Sequence, residues 1–489
     1  MRRLAALGAV LVLAAACSSG GDDAASSSTT TRGTATTSAS STAPPTTTTS
    51  TVASTSPPGV VATPAPAPAP TCPPVPARNA PDPNRPSYVL NVDVDLAANV
   101  VRGDVTVRFT PDLSTDRLVF RLWPNSPRIA AKGGRLDTGP VTLAGGHPVP
   151  SDRTDATTLV VRTGPLVPGR RIEAHLPYQL TLPGEVDDRI SRTGDSVRLG
   201  TFFPLLAWEP GVGWATEPPT SGFAEAATSP VADFAVSVRV PDGLTALTSG
   251  VAEGVDGRFR ATAVRDFAMS VGRFAIATAT AHAPDDVAVT VGVAAGLTVS
   301  PGTFLAKEVR VLEDFGRRFG NYPWPSLTLA VTPHLDGGIE FPGHIQQGPT
   351  TIGRTTSHEV GHQWFYGLVG NDQGRDPWLD EGLASYAEAR YENTLAAFRT
   401  KSVPVDARGR VGAPMAYWEP RQSSYYRGVY VQGTQALAAL GDPGLVDCAL
   451  RHYVARNAFR IARPADLVAA MQAVFPDAAA RMAPYGVHA

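Results

Sequence analysis

The chain has 489 residues, enough for two or more domains, and a hydrophobic share of 43%, ample for packed cores. With 42 Lys and Arg against 44 Asp and Glu the formal net charge is −2, which gives no electrostatic case for nucleic acid or for an anionic membrane surface. Three cysteines are too few for a disulfide scaffold.

Residues 1–17 read as an export signal. Arg2 and Arg3 supply a charged start, and Leu4 to Ala16 is an apolar run too short for a bilayer, which takes about 20 residues. Ala14-Ala15-Ala16-Cys17 resembles the lipobox of bacterial lipoproteins, with Ala where Leu is commoner. That resemblance implies lipidation of Cys17 and anchoring to the cell membrane, since two acyl chains suffice for stable attachment. Plain secretion is the alternative. Residues 18–81 are low-complexity Ser, Thr, Ala and Pro with no aromatic before Tyr88. Such a tract cannot bury enough apolar surface to offset its chain entropy, and it reads as a disordered stalk. Cys72, at its end, has Cys448 as an intramolecular partner if Cys17 is lipidated. An exported location permits that disulfide, but the sequence does not give the distance.

From Ser87 the pattern has period two. Tyr88, Leu90, Val92, Val94 and Leu96 share one face. Ala97-Ala98-Asn99 turns the chain, and Val101, Val105, Val107 and Phe109 alternate with charged residues. This predicts a half-buried hairpin. Similar runs at Leu118–Leu122, Leu159–Val161, Arg171–Leu176 and Phe234–Val240 argue for an all-β domain over 82–280. Beyond it, 281–489 is expected to form a mainly helical domain. Leu305, Val309, Leu312, Phe315 and Phe319 make a helical stripe, and Leu327–Thr332 a short buried strand.

The chemistry concentrates downstream. His358-Glu359-Val360-Gly361-His362 places two imidazoles one turn apart on one helix face, where both reach a single ion. Glu359, one step round the helix, can work on water at that ion. A catalytic zinc site takes three protein ligands and an open position. Glu381, with eighteen residues between it and His362, is the candidate third ligand. It stands in Trp378-Leu379-Asp380-Glu381-Gly382, the start of a second helix that reads Leu379, Leu383, Tyr386, Ala387 and Arg390.

These two runs, with Gln363-Trp364-Phe365 after His362, resemble the gluzincin metallopeptidases, specifically the aminopeptidase N family that also holds leukotriene-A hydrolase. The family usually has Asn where this chain has Asp380. The resemblance implies one zinc ion per chain on His358, His362 and Glu381, with Glu359 as general base. It also implies a fold in which an N-terminal all-β domain precedes a thermolysin-like, mainly helical zinc peptidase domain. The family segment Gly-x-Met-Glu-Asn looks like Gly337-Gly338-Ile339-Glu340-Phe341. By that likeness Glu340 binds the free α-ammonium group of a peptide, and Gly337 and Gly338 let backbone approach the substrate. Phe341 puts in doubt the contact made by the family's Asn. His334 and His344 beside this segment read as hydrogen-bonded structural histidines. Relatives place an oxyanion-donating Tyr three residues before a Gly. Tyr425 and Tyr430 both fit, and Tyr430 is favoured by the stripe Gly433, Leu437, Leu440. Glu388 matches a position that supports a zinc-bound His. Larger relatives carry a further helical domain for which this chain leaves no room.

The implied function is an exported zinc aminopeptidase acting on peptides with a free N-terminus. Two rivals are an endopeptidase of the same chemistry and a cell-envelope binding lipoprotein with a vestigial metal site. An intact Glu359 argues against the second, because binding alone needs only the ligands.

Overall fold

The computed structural model describes residues 71–221, 228–254 and 257–488. The export signal, Cys17 and most of the low-complexity tract lie outside the described residues. No helix among the described residues is long and apolar enough to cross a membrane. Cys72 is disulfide-bonded to Cys448, with Cα atoms 5.9 Å apart across 376 residues of sequence. The pairing that the sequence left open is therefore made. Arg78 donates to the Asn321 carbonyl at 2.7 Å and the Asn79 N–H to that of Ala455 at 2.9 Å. The segment entering the first strand is thus held against the helical part of the molecule.

The expected hairpin is present as β1 (Ser87–Asp95) and β2 (Val100–Phe109), antiparallel with Leu90 opposite Val105. Tyr88, Leu90, Val92 and Val94 are buried while Asn91 is exposed, so the period-two pattern sets which face enters the core. Asn99 takes the left-handed backbone of the turn at φ 57°, which Asn tolerates better than most residues. The hairpin occupies the middle of a nine-stranded sheet, flanked by β3 (Ile172–Thr181) on β2 and β4 (Ala232–Arg239), parallel, on β1.

A second, five-stranded sheet carries the site. It runs β5–β6–β7–β9–β8, with β5 Phe274–His282, β6 Asp286–Ala294, β7 Ser326–Val331, β8 Gly338–Phe341 and β9 His344–Gln347. β5 spans the 280/281 boundary expected from sequence, so this sheet draws its first strand from before it. Helix α1 (Pro301–Phe319) packs on β5 and β6, starting with proline at its first position and ending at Gly320, φ 103°. Its buried face is Phe304, Leu305, Glu308, Val311, Leu312, Phe315, Gly316 and Phe319. The expected stripe is thus on the buried face, with Val309 half-buried at its margin, and Glu308 is buried beside it. Helices α2 (Arg354–Gly361), α3 (Trp378–Tyr391), α4 (Gln432–Ala438) and α5 (Pro443–Asn457) complete the part needed here. The molecule is therefore multidomain, with a β-rich N-terminal region and a helical C-terminal region.

Candidate metal centre

Helix α2 presents His358 and Glu359, and His362 continues its last turn in helical geometry. Helix α3 packs across it and brings up Glu381. His358 Nε2 and His362 Nε2 stand 3.0 Å apart, and Glu381 Oε2 lies 3.0 Å from the first and 3.5 Å from the second. Three buried groups thus aim their ligand atoms at one point. Nitrogen and carboxylate donors at helical spacing are what a divalent zinc ion takes, and the set fits that ion.

The α3–α4 approach depends on glycine: an added Cβ at Gly433 would lie 2.9 Å from the Gly382 Cα, whereas at Gly361 on α2 it would meet Ala384 only at ordinary contact distance. The Gly382–Gly433 contact also seats the segment before α4, Arg427–Val431, which forms a π-turn. It brings the Tyr430 ring into stacking contact with His358, centroids 5.6 Å apart and planes at 13°. Tyr425 is buried behind it, edge-on to Tyr430 at 5.7 Å. Of the two tyrosines, the structure puts Tyr430 beside the ligand histidine.

Both histidines are held from behind. Glu388 Oε2 is 3.4 Å from His358 Nδ1, and Arg354 donates to its other oxygen. His362 Nδ1 donates to Asp380 Oδ1 at 2.6 Å, and Gln373 Nε2 donates to Asp380 Oδ2 at 2.7 Å. Sequence reasoning passed over Asp380 and Gln373. Asp380 was visible only as a departure from the family's Asn, and Gln373 carries no spacing signal at all. Such partners fix the ring tautomer and orient the ligand nitrogen. Gln363 was missed too. Its amide donates to the Phe341 carbonyl at 3.1 Å and accepts from the Gly343 N–H at 2.9 Å, tying the edge strand β8 to α2.

That edge strand delivers Glu340. Glu340, Glu359 and His362 converge as a second cluster. Glu359 lies against the β8 backbone, where an added Cβ at Gly338 would stand 2.3 Å from Glu359 Cγ. Only glycine fits at 338. At Gly337 an added Cβ would meet nothing within 4 Å, so there the glycine leaves space rather than being forced by it. His344 is fully buried and bonded to Ser270 and Thr328, and His334 sits 3.2 Å from Glu185. Both are away from the converging ligand atoms.

The electrostatics is that of crowded charge. Burial pushes Glu359 up to about 8 and Glu340 to about 7. Burial also opposes the imidazolium of His358, yet Glu381 and Glu388 hold it up to about 9. Glu381, despite burial, is kept well below the usual carboxylate range by its bonds to both histidines.

Residues 305–405, which include both ligand helices up to Glu381, match the peptidase family M1 domain. Among similar proteins, leukotriene A-4 hydrolase of Xenopus laevis is 28% identical over 131 residues, 22% of either chain. Aminopeptidase B of Rattus norvegicus is 31% identical over 97 residues, covering 17% of this chain and 15% of the relative. The matches thus span less than a quarter of those two proteins. The fold likeness reaches further. An M1 zinc metallopeptidase of Deinococcus radiodurans, solved as a mutant with a Tyr-Ser-Ala substrate, superposes with a TM-score of 0.60. It covers 83% of this chain and 95% of its own at 22% identity. The same enzyme without the mutation gives 0.59.

Proposed function

We propose that this chain is a zinc aminopeptidase of the M1 kind, which removes the first residue of peptides with a free N-terminus. The observation that carries the reading is the convergence of His358, His362 and Glu381 with Glu340 and Glu359 at its side. The two His and Glu381 would hold one zinc ion. That ion, when bound, would supply Lewis acidity at the scissile carbonyl and lower the pKa of water to near 7.

The chain's own residues do the rest. Glu359, next to the β8 edge, takes the proton of the attacking water and returns one to the leaving amine. Burial that raises its pKa makes it a stronger base than a solvated carboxylate. The Tyr430 hydroxyl donates to the oxyanion of the tetrahedral intermediate. Glu340 pairs with the substrate ammonium, and β8, an edge strand opened by Gly337 and Gly338, offers backbone to the peptide. Asp380 and Glu388 keep the ligand histidines aimed. The helical region would be a thermolysin-like catalytic domain over about residues 281–489, with the β domain over 82–280 beside it.

The experiment uses one peptide in free and N-acetylated form, with products weighed by mass spectrometry. Stepwise loss from the free end is expected, and efficient internal cleavage of the acetylated form would replace this reading with an endopeptidase. We further propose export and lipid anchoring through Cys17. Fatty-acid labelling should be lost in Cys17→Ser, and a wild-type protein that takes up no label would leave secretion as the route.

A further inference from the structure

The β-rich region sends two buried arginines to loops of the helical region. Arg198 is 2% exposed and Arg265 3%. Neither makes an ion pair among the described residues; each is dissolved in main-chain oxygens instead. Arg198 donates to the carbonyls of Asp188 (3.0 Å), Pro333 (2.7 Å), His334 (3.1 Å) and Val186, and to Thr332 Oγ1 at 3.2 Å. Arg265 donates to the carbonyls of Tyr366 (2.9 Å), Ser229 (3.1 Å), Leu368 (3.4 Å) and Arg460 (2.5 Å).

One carbonyl in each set belongs to a non-glycine residue with left-handed backbone, His334 at φ 54° and Tyr366 at φ 129°. Such geometry persists only where the surroundings over-determine it. Each loop is joined in sequence to a residue of the site. After His334, three residues lead into β8, which carries Glu340. Tyr366 follows α2, and its neighbours grip His362. The Phe365 carbonyl lies 3.2 Å from His362 Nδ1, and the Gly367 N–H donates to the His362 carbonyl at 2.8 Å.

We propose that Arg198 and Arg265 are positioning residues: Arg198 fixes the loop that aims Glu340, and Arg265 fixes the loop that orients His362. The β-rich region would then set substrate affinity and metal retention separately, through two forks. The proposal rests on the aminopeptidase reading for the role of Glu340, while the metal half can be read without turnover. A guanidinium serves because its planar fork donates five N–H groups to fixed carbonyls, which lysine cannot reproduce.

The test uses Arg198→Lys and Arg265→Lys in the full zinc-loaded chain, with wild type as reference. Arg198→Lys should raise KM for a free peptide about tenfold, with kcat and zinc affinity kept. Adding His334→Gly, which relaxes the left-handed residue at an exposed position, should restore KM. Arg265→Lys should weaken zinc about tenfold in chelator competition and lower kcat, with KM kept. If Arg265→Lys does not fold, Gly370→Ala serves, since its Cβ would stand 2.3 Å from Arg265 Cζ and displace the guanidinium in place. A wild type that shows no preference for the free over the acetylated peptide overturns the aminopeptidase reading, and does so before any arginine is changed. With that preference present, unchanged KM and zinc affinity in the variants overturns the positioning roles. So does a uniform loss of all parameters in step with the folding midpoint, which is what mere structural damage gives.

Discussion

The two regions of the molecule bury charge by opposite rules. In the β-rich region Arg121, Arg198 and Arg265 are each under 5% exposed and are satisfied by carbonyls and hydroxyls. In the helical region Glu340, Glu359, Asp380, Glu381 and Glu388 crowd around two imidazoles. Main-chain carbonyls can dissolve an arginine, because it only donates. They cannot dissolve a carboxylate, which only accepts and needs donors or a cation. Glu308 serves as the control inside the helical region. It is just as buried, neither oxygen has a partner among the described residues, and burial drives its pKa well up. Carboxylates that converge with two imidazoles at the metal centre therefore fit a cation in a way that a lone buried carboxylate does not.

The most severe way to break that contrast is to take a ligand away. Glu381→Ala should lose most of its zinc, read by elemental analysis of the purified protein. Glu359→Gln should keep zinc and lose turnover by about 10²–10⁴, the worth of a general base. Equal metal loss in both variants would contradict the two roles. Next in size is Tyr430→Phe. Removal of one oxyanion donor costs about 10²–10³ in kcat, with KM little changed; a larger loss in Tyr425→Phe would mean that the packing against His358 misidentifies the donor. Smaller again is Asp380→Asn. The amide can still accept from His362, but it turns its NH2 toward Gln373, another donor, and removes a buried charge. A 10–100-fold loss of zinc affinity is expected by chelator competition. Undiminished affinity would show that the carboxylate adds nothing over the family's Asn.

How much of this could be read from the sequence depends on whether a residue acts through spacing. The β1–β2 hairpin was legible because one buried face imposes period two. His358, His362 and Glu381 were legible because a helix fixes the four-residue interval, and a motif fixes the longer one. Glu388 and Tyr430 came from resemblance, and the structure puts both against His358. Gln373, Asp380 and Gln363 were not legible. Their partners are set by the crossing of α2, α3 and β8, and a single amide or carboxylate leaves no periodic trace. The same holds for Arg198 and Arg265, whose partners are backbone atoms. The disulfide needed a distance between residues 376 apart in sequence. The stripe on α1 was legible too: Leu305, Leu312, Phe315 and Phe319 are buried and Val309 packs at the margin, but the buried Glu308 beside them left no trace in the hydrophobic pattern.

That buried carboxylate yields the mildest prediction, and it concerns stability rather than activity. Glu308 sits one turn from Phe304 and from Leu312, both buried, on the face of α1 turned into the core. Its folded-state pKa lies above its unfolded value, so the folded chain holds a proton that the unfolded chain releases. The associated stability is fully present below the ordinary carboxylate range and is lost as pH rises toward the elevated folded value. Asp266, pushed up to about 7 by burial, adds a loss of the same sign between its ordinary value and 7. Unfolding midpoints of wild type should therefore decline from about pH 4 upward. Glu308→Gln should flatten part of that slope and leave the share due to Asp266. Glu308→Leu, of similar volume, should stabilise the protein at neutral pH by about 1–3 kcal/mol, the cost of an unsatisfied buried polar group. Zinc content should not change in either variant, since Glu308 is not among the groups that converge on the ligand atoms. A Glu308→Leu protein that is less stable than wild type at pH 8 would mean that the carboxylate has found donors, such as buried water. The contrast between paired and unpaired carboxylates would then fail at the residue chosen to demonstrate it.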